Sequence, residues 1–335
     1  MSKFIISASL LALSFAAVAQ DTFSYVPAVH GTVKSRYEID TDRGESRFQV
    51  RNARVNVTGR VAPVIDYKFE LDLCDRGSVK TTDVWAGLWF SRSLKMQIGQ
   101  MRMPFGVDAS RNIGRYWFVN HSFLGSYVGN KRGVGAKLAY AFATLPLTAE
   151  AGVFNTYTIN RHAVWQRKMS YSGKARYTFS PSLFVEAGIE STVPDSVRIN
   201  HFDATVGWTS GRWAAEAEYV YKHYTNHAFK ATHSWNLMAA YEMPVNVGCF
   251  STLAIQGRWD GATDHSDGIR DDDGRLTLTE ARRQRLTLGS TLGYHHDKLS
   301  ALLRLNYEHY FHPSGTSPHP VGEGNVISAE MIVNF

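Results

Sequence analysis

"IDYKFELDL", residues 65–73, alternates without a break. Ile65, Tyr67, Phe69, Leu71 and Leu73 stand on one side; Asp66, Lys68, Glu70 and Asp72 stand on the other. Successive side chains of an extended chain point to opposite faces, so the stretch reads as a β-strand with one oily face and one charged face. The rhythm continues outward in both directions. "VHGTVKSRYEI" (29–39) sets Val29, Val33, Tyr37 and Ile39 against His30, Thr32, Lys34, Arg36 and Glu38. "KMSYSGKARYTF" (168–179) sets Met169, Tyr171, Ala175, Tyr177 and Phe179 against Lys168, Ser170, Ser172, Lys174, Arg176 and Thr178. The chain stops on "ISAEMIVNF", where Ile327, Ala329, Met331, Val333 and Phe335 share one apolar face. Termini of soluble domains usually fray, so a strand running to the last residue must be held in something. No long window carries a convincing 3.6-residue period.

The punctuation between strands decides the architecture. Tight connections fall near Ala62–Pro63, Ser91–Ser93, Thr144–Pro146, Ser180–Ser182, Ser210–Gly211, Pro244–Gly248 and His295–Asp297. Longer or more polar segments fall between them, near 39–46, 74–78, 104–131, 155–168, 191–198, 224–232, 261–283 and 311–322. Seven short turns alternating with eight long loops require sixteen strands, with both termini on the short-turn side. A soluble sandwich gives no reason for that alternation. An all-β, 16-stranded antiparallel transmembrane β-barrel does, with short periplasmic turns and long outer loops. Barrel closure also pairs every backbone group that lipid could not satisfy. Aromatic residues near strand ends, such as Trp85, Trp89, Tyr140, Trp208, Trp213, Tyr307 and Phe311, suit the girdles at the lipid–water boundary. Alternation slips near Arg51–Asn52 and again between Ile98 and Met101, where bulges would reset it.

The first residues address the chain. "MSKFIISASLLALSFAAVAQ" has a positive start at Lys3, an apolar run and small residues at Ala17 and Ala19. That is a secretory signal peptide, expected over residues 1–19, leaving 20–335 as the barrel domain. No second apolar stretch reaches the ~18 residues that a spanning helix needs. The formal charge of +6 is a mild excess, too small to imply nucleic acid. Two cysteines, Cys74 and Cys249, do not make a disulfide framework, and two separate thiols are expected.

If the apolar face meets lipid, the polar face lines the bore. It brings Lys34, Arg36 and Glu38, then Arg54 and Arg60, then Lys68 among its carboxylates, and later Glu216, Glu218, Arg304 and Glu308. Side chains cannot fill a bore of sixteen strands, so water occupies it. The third outer loop, "PFGVDASRNIGRYWFVNHSFLGSYVGNK", is rich in Phe105, Ile113, Tyr116, Trp117, Phe118, Phe123, Leu124 and Tyr127. A loop so apolar is expected to fold inward onto the barrel wall. It would narrow the pore and bring Arg102, Asp108, Arg111, Arg115, Lys131 and Arg132 near the path, where cationic groups favour anions.

Several of these strands also resemble a family. "FQVRNARVNVTGRV" (48–61), "DYKFELDL" (66–73), "VKTTDVWAGLWF" (79–90) and "LKMQIGQMRMPFG" (94–106) look like successive early strands of the phosphate-selective porin O and P family. "QRLTLGSTLGYHHDKLSALLRLNY" (284–307) looks like its penultimate hairpin. The resemblance implies a homotrimeric porin with an inward third loop. It does not carry phosphate selectivity, because no dense lysine and arginine ladder is visible and Glu38, Glu70, Asp72 and Asp108 dilute the positive field. The terminal Phe335 resembles the signal by which outer-membrane barrels are recognised by the barrel-assembly machinery.

Rival chemistry has little support. No G-x-S-x-G or H-E-x-x-H is present for a barrel enzyme. In "DHSDGIRDDDGRLTLTEARR", Asp271, Asp273 and Glu280 are weak calcium candidates, since Ile269 falls where an EF-hand needs its first Asp. A solvated loop, with ions bridging to lipopolysaccharide, is the simpler reading. An adhesin or receptor role through the loops is compatible with a pore. The sequence therefore predicts an outer-membrane porin passing small anionic or neutral solutes, embedded in outer-membrane lipid, with no cofactor and no resident metal.

Overall fold

The computed structural model describes residues 24–75, 77–128, 131–157, 159–312 and 324–335; the expected signal peptide lies outside them. Among the described residues are sixteen strands: β1 (Ala28–Asp40), β2 (Glu45–Ala62), β3 (Ile65–Asp75), β4 (Ser78–Trp89), β5 (Leu94–Arg102), β6 (Arg132–Ala141), β7 (Leu147–Phe154) and β8 (Ser170–Ser180). The second half adds β9 (Leu183–Thr192), β10 (Ile199–Ser210), β11 (Trp213–Tyr224), β12 (Thr232–Val247), β13 (Phe250–Ala262), β14 (Arg283–His296), β15 (Leu299–Phe311) and β16 (Val326–Asn334). Each pairs antiparallel with its sequence neighbours, and β1 pairs with β16, closing the cylinder.

The alternation places water inside and oil outside. On β3, Ile65, Phe69 and Leu73 are 37%, 43% and 49% exposed, while Glu70 and Asp72 are 5% and 0% exposed. Buried charge against exposed apolar surface inverts the pattern of a soluble domain and fits a wall with lipid on its outer side. No helix among the described residues is long and apolar enough to cross a membrane. The two cysteines are free.

The first phase slip is a bulge: Lys34 pairs with Asn52 and Ser35 with Val50, so Arg51 is the extra residue. The second is not. Register between β5 and β6 is continuous through Ile98, Gly99 and Gln100. Gly99 instead takes φ +135°, a backbone state suited to glycine, and the buried polar positions change from Lys95 and Gln97 to Gln100 across it.

Strict alternation of loop length fails at the first two outer connections. Loop 1 is residues 41–44 and loop 2 is 76–77, whereas the β6–β7 turn spans 142–146. Loop 1 is a tight turn in which Asp40 O accepts from Gly44 N at 2.8 Å and Asp40 Oδ1 accepts from Asp42 N and Arg43 N. The polar residues that suggested longer loops are the bore-facing ends of β1–β4.

Candidate channel interior and constriction

Loop 3, residues 103–131, enters the barrel. Pro104 lacks the N–H a continuing strand would use, and Gly106 turns the chain at φ +66°. Phe105, Ile113, Tyr116, Phe118, Phe123 and Leu124 are all buried, and Phe105 and Leu124 pack on Val220 of β11.

The loop's irregular backbone must find partners for its polar groups, and the charged wall supplies them. Val107 N and Asp108 N donate to the Glu218 carboxylate at 2.7 and 2.9 Å. Phe123 N donates to Asp260 at 2.8 Å. Wall cations serve the loop carbonyls: Lys34 donates to Val119 O at 2.9 Å, Arg258 to Asn120 O at 2.8 Å and Arg285 to His121 O at 2.6 Å. The loop is thereby fastened from β11 round to β1 by charge-assisted bonds, the stronger kind.

The structure sorts the six residues expected along this loop. Asp108 is a staple: its Oδ2 accepts from Ser122 N and Oγ at 3.1 and 2.7 Å, and His121 Nδ1 lies 3.5 Å away. Burial pushes the Asp108 carboxyl up, but His121, Arg111 and Ser122 outweigh it and hold it well below the usual range. Burial holds His121 below its ordinary pKa, with Asp108 opposing. Arg111 is an anchor on Glu216 of β11. Arg115 is exposed. Lys131 pairs with Glu190 at 3.5 Å, and Arg132 with Asp83 at 2.8 Å. Arg102 donates to Ala109 O and, among the described residues, has no carboxylate at ion-pair distance.

Between loop 3 and the β1–β4 wall lies about 2500 Å³ of empty space. Ten basic side chains line it and only two acidic ones, Glu38 and Asp75. The expected Lys34, Arg36, Arg54, Arg102 and Arg132 are among the ten, joined by Arg47, Arg51, Lys80, Arg283 and Arg285, which sequence reasoning did not single out. Arg283 and Arg285 carried a signal: they alternate with Gln284, Leu286 and Leu288, which marks them as bore-facing. Carboxylates pair with the guanidinium groups: Arg54 meets Asp72 at 2.9 Å, and Arg285 meets Asp260 and Glu308 at 2.9 and 3.0 Å. Glu70, Asp72 and Asp108, expected to dilute the field, are buried and do not line this space. Lys68 pairs with Glu70 and Asp83 at 2.8 Å, and Arg60 faces Asp66 across β2 and β3.

The calcium candidates do not converge. Asp271 Oδ1 accepts from Arg275 N at 2.7 Å, and Glu280 pairs with Arg283 at 2.7 Å. Among the described residues no three His, Cys, Asp or Glu side chains could hold a metal ion.

Residues 29–190 match the family described as phosphate-selective porin O and P, a span running from β1 through loop 3 into β9. Over that span, just under half of its length, the chain is similar to that family. It is an outer-membrane porin, a multi-pass barrel whose wet, charged bore lets small solutes diffuse passively. The resemblance noted for 284–307 falls outside the matched span. No curated protein sequence matches the chain. Solved structures share the fold at low identity. OmpF of Salmonella typhi in complex with daunomycin is 12% identical, with 92% of this chain and 97% of that one covered at a TM-score of 0.63. An anion-selective porin from Comamonas acidovorans is 11% identical, with coverage of 92% and 98% and a TM-score of 0.62. OmpT of Vibrio cholerae, folded in vitro and in trimer form, is 13% identical, with coverage of 92% and 99% and a TM-score of 0.60.

Proposed function

We propose that this porin passes small anions in preference to cations, by diffusion alone, with no covalent step and no cofactor. The observation carrying this is the imbalance of ten basic to two acidic side chains around the space beside loop 3. Carboxylates fix the positions of these groups, and the most open of them, Arg47 and Lys80, are 61% and 60% exposed. A low-dielectric wall concentrates such a field along the path. The shared fold of an anion-selective porin supports the same direction. Neutral solutes of similar size pass as well, since nothing in this arrangement demands charge.

The porin works as a homotrimer, a reading supported by the trimeric form of the like-folded OmpT. The signal peptide directs export, the barrel-assembly machinery recognises the strand ending at Phe335, lipopolysaccharide surrounds the outer leaflet, and nucleic acid is no partner. Single-channel recording under a potassium chloride gradient tests the selectivity: the reversal potential should have the sign of an anion-preferring pore. A cation-preferring sign would overturn the proposal. Phosphate specificity would further require phosphate to block chloride current at low concentration.

A further inference from the structure

The outer rim above β8–β10 carries a basic and aromatic surface that solute passage leaves unused. Loop 4, joining β7 to β8, has no acidic residue from Asn155 to Met169. It exposes Arg161, Arg167 and Lys168 around a tip of Val164 and Trp165, and Trp165 is 99% exposed. The loop is built rather than slack: Thr156 N donates to Gln166 Oε1 at 2.8 Å, and Ile159 N donates to Gln100 Oε1 at 2.9 Å.

The same surface is continuous with the lipid-facing wall. Lys168 donates to Ser196 O and Arg198 to Met169 O, each at 3.3 Å, which ties loop 4 to loop 5. Arg198 lies 5.6 Å over the ring of Tyr171, an outward residue at the top of β8 that is 49% exposed. Ile189 and Phe202 on β9 and β10, also turned to lipid, are 59% and 50% exposed. Asp195 is the one exposed acid in the connecting loop 5 segment 193–198. Basic groups seated directly above an apolar, aromatic wall stand at headgroup depth. There guanidinium groups bind phosphate bidentately and a tryptophan is at home between sugar and acyl chain.

We propose that Trp165, Arg167, Lys168 and Arg198 bind the phosphorylated headgroup of an outer-leaflet glycolipid. The site lies on the membrane side of the rim and is separate from the pore. The inference rests on placement in the outer membrane and not on anion selectivity.

The test uses the full-length protein in neutral detergent, titrated with diphosphoryl lipid A and with the same lipid stripped of phosphate, bound lipid being counted by native mass spectrometry. The wild type should bind the phosphorylated form at least about tenfold more tightly than the stripped form. Arg167→Ala with Lys168→Ala should remove most of that difference, and Trp165→Ala should weaken both forms. Arg198 is left in place because it also holds Met169 O and Ser191 Oγ. Unchanged conductance and unboiled gel mobility of the variants would show an intact barrel. Three results would overturn the proposal: equal lipid binding by the double variant, equal binding of the two lipid forms, or full displacement of lipid by equimolar inorganic phosphate. A wild type that binds lipid but conducts no ions would instead count against the channel reading alone.

Discussion

Gly31 and Phe335 exchange both backbone hydrogen bonds, Gly31 N to Phe335 O at 2.7 Å and Phe335 N to Gly31 O at 3.0 Å. The Phe335 ring lies across the glycine, in the space a Cβ at position 31 would need. This pair continues the β1–β16 seam one step past Thr32 and Asn334. An aromatic ring covering a cross-strand glycine keeps the seam tight where a second side chain could not fit. Gly31→Val should push the ring away and destabilise the closed barrel by about 1–3 kcal/mol, the usual range for overpacking. Heat-modified gel mobility should report the loss as a lower temperature of conversion. Phe335→Ala should lower it too, whereas the double variant should cost less than the sum of the two.

Glu218 accepts two loop 3 amides, and their removal would leave both buried donors unpaired. Each such orphan costs about 1–3 kcal/mol, more than a loop resting on a wet wall can absorb unmoved. Glu218→Ala should therefore free the first limb of loop 3 while leaving strand pairing intact. Single-channel traces should show added open-state noise with normal barrel mobility on gels. Arg111→Gln should do the same more weakly, because it breaks the neighbouring anchor to Glu216.

The seating of loop 3 should also depend on pH, through His121. Burial keeps its pKa below the ordinary value, so the seated loop holds the ring neutral. In a released loop the ring would bind a proton near the ordinary histidine value of about 6.5. As pH falls through that value the released state takes up a proton that the seated state refuses, and seating weakens. Above it no dependence is expected. Asp108 adds nothing between pH 5 and 8, since its carboxyl is held well below the usual range and is ionised in both states. Open-channel noise should rise from pH 8 to pH 5 in the wild type and stay level in His121→Asn.

How much of this the sequence disclosed follows from what is local. The strand rhythm is a two-residue property, so bore and lipid faces could be assigned from short windows such as 65–73. The inward course of loop 3 was visible in its own apolar content. Loops 1 and 2 are shorter than their local sequence suggests, because a polar residue at a strand end facing water inside a bore looks like one in a loop. The anchoring role of Arg111 is not legible locally, because its partner Glu216 lies 105 positions away and no local pattern links them. The cationic surface was underestimated for the same reason: Arg47, Lys80 and Arg285 meet only once the cylinder has closed.

Arg102 is the side chain on which selectivity should turn. It sits directly across from Arg132, a like-charged cross-strand pair that is unfavourable unless offset. Arg132 has Asp83 at 2.8 Å, whereas Arg102 bonds the Ala109 carbonyl and the Tyr116 hydroxyl of loop 3, both uncharged. Of the ten basic side chains around the space beside loop 3, Arg102 alone, among the described residues, has no carboxylate at ion-pair distance. A unit charge about 5 Å from a passing ion in a watery bore changes its energy by roughly 0.8 kcal/mol, or about a fourfold change in relative permeability. Arg102→Gln should lower the anion-to-cation permeability ratio by about that factor. Its reversal potential under a salt gradient should shift toward zero, with less change in concentrated salt, where a Debye length of about 3 Å screens the site. Arg111→Gln, whose charge is already spent on Glu216, should leave the ratio near the wild-type value. Equal shifts in both variants would mean that the path does not run beside Arg102.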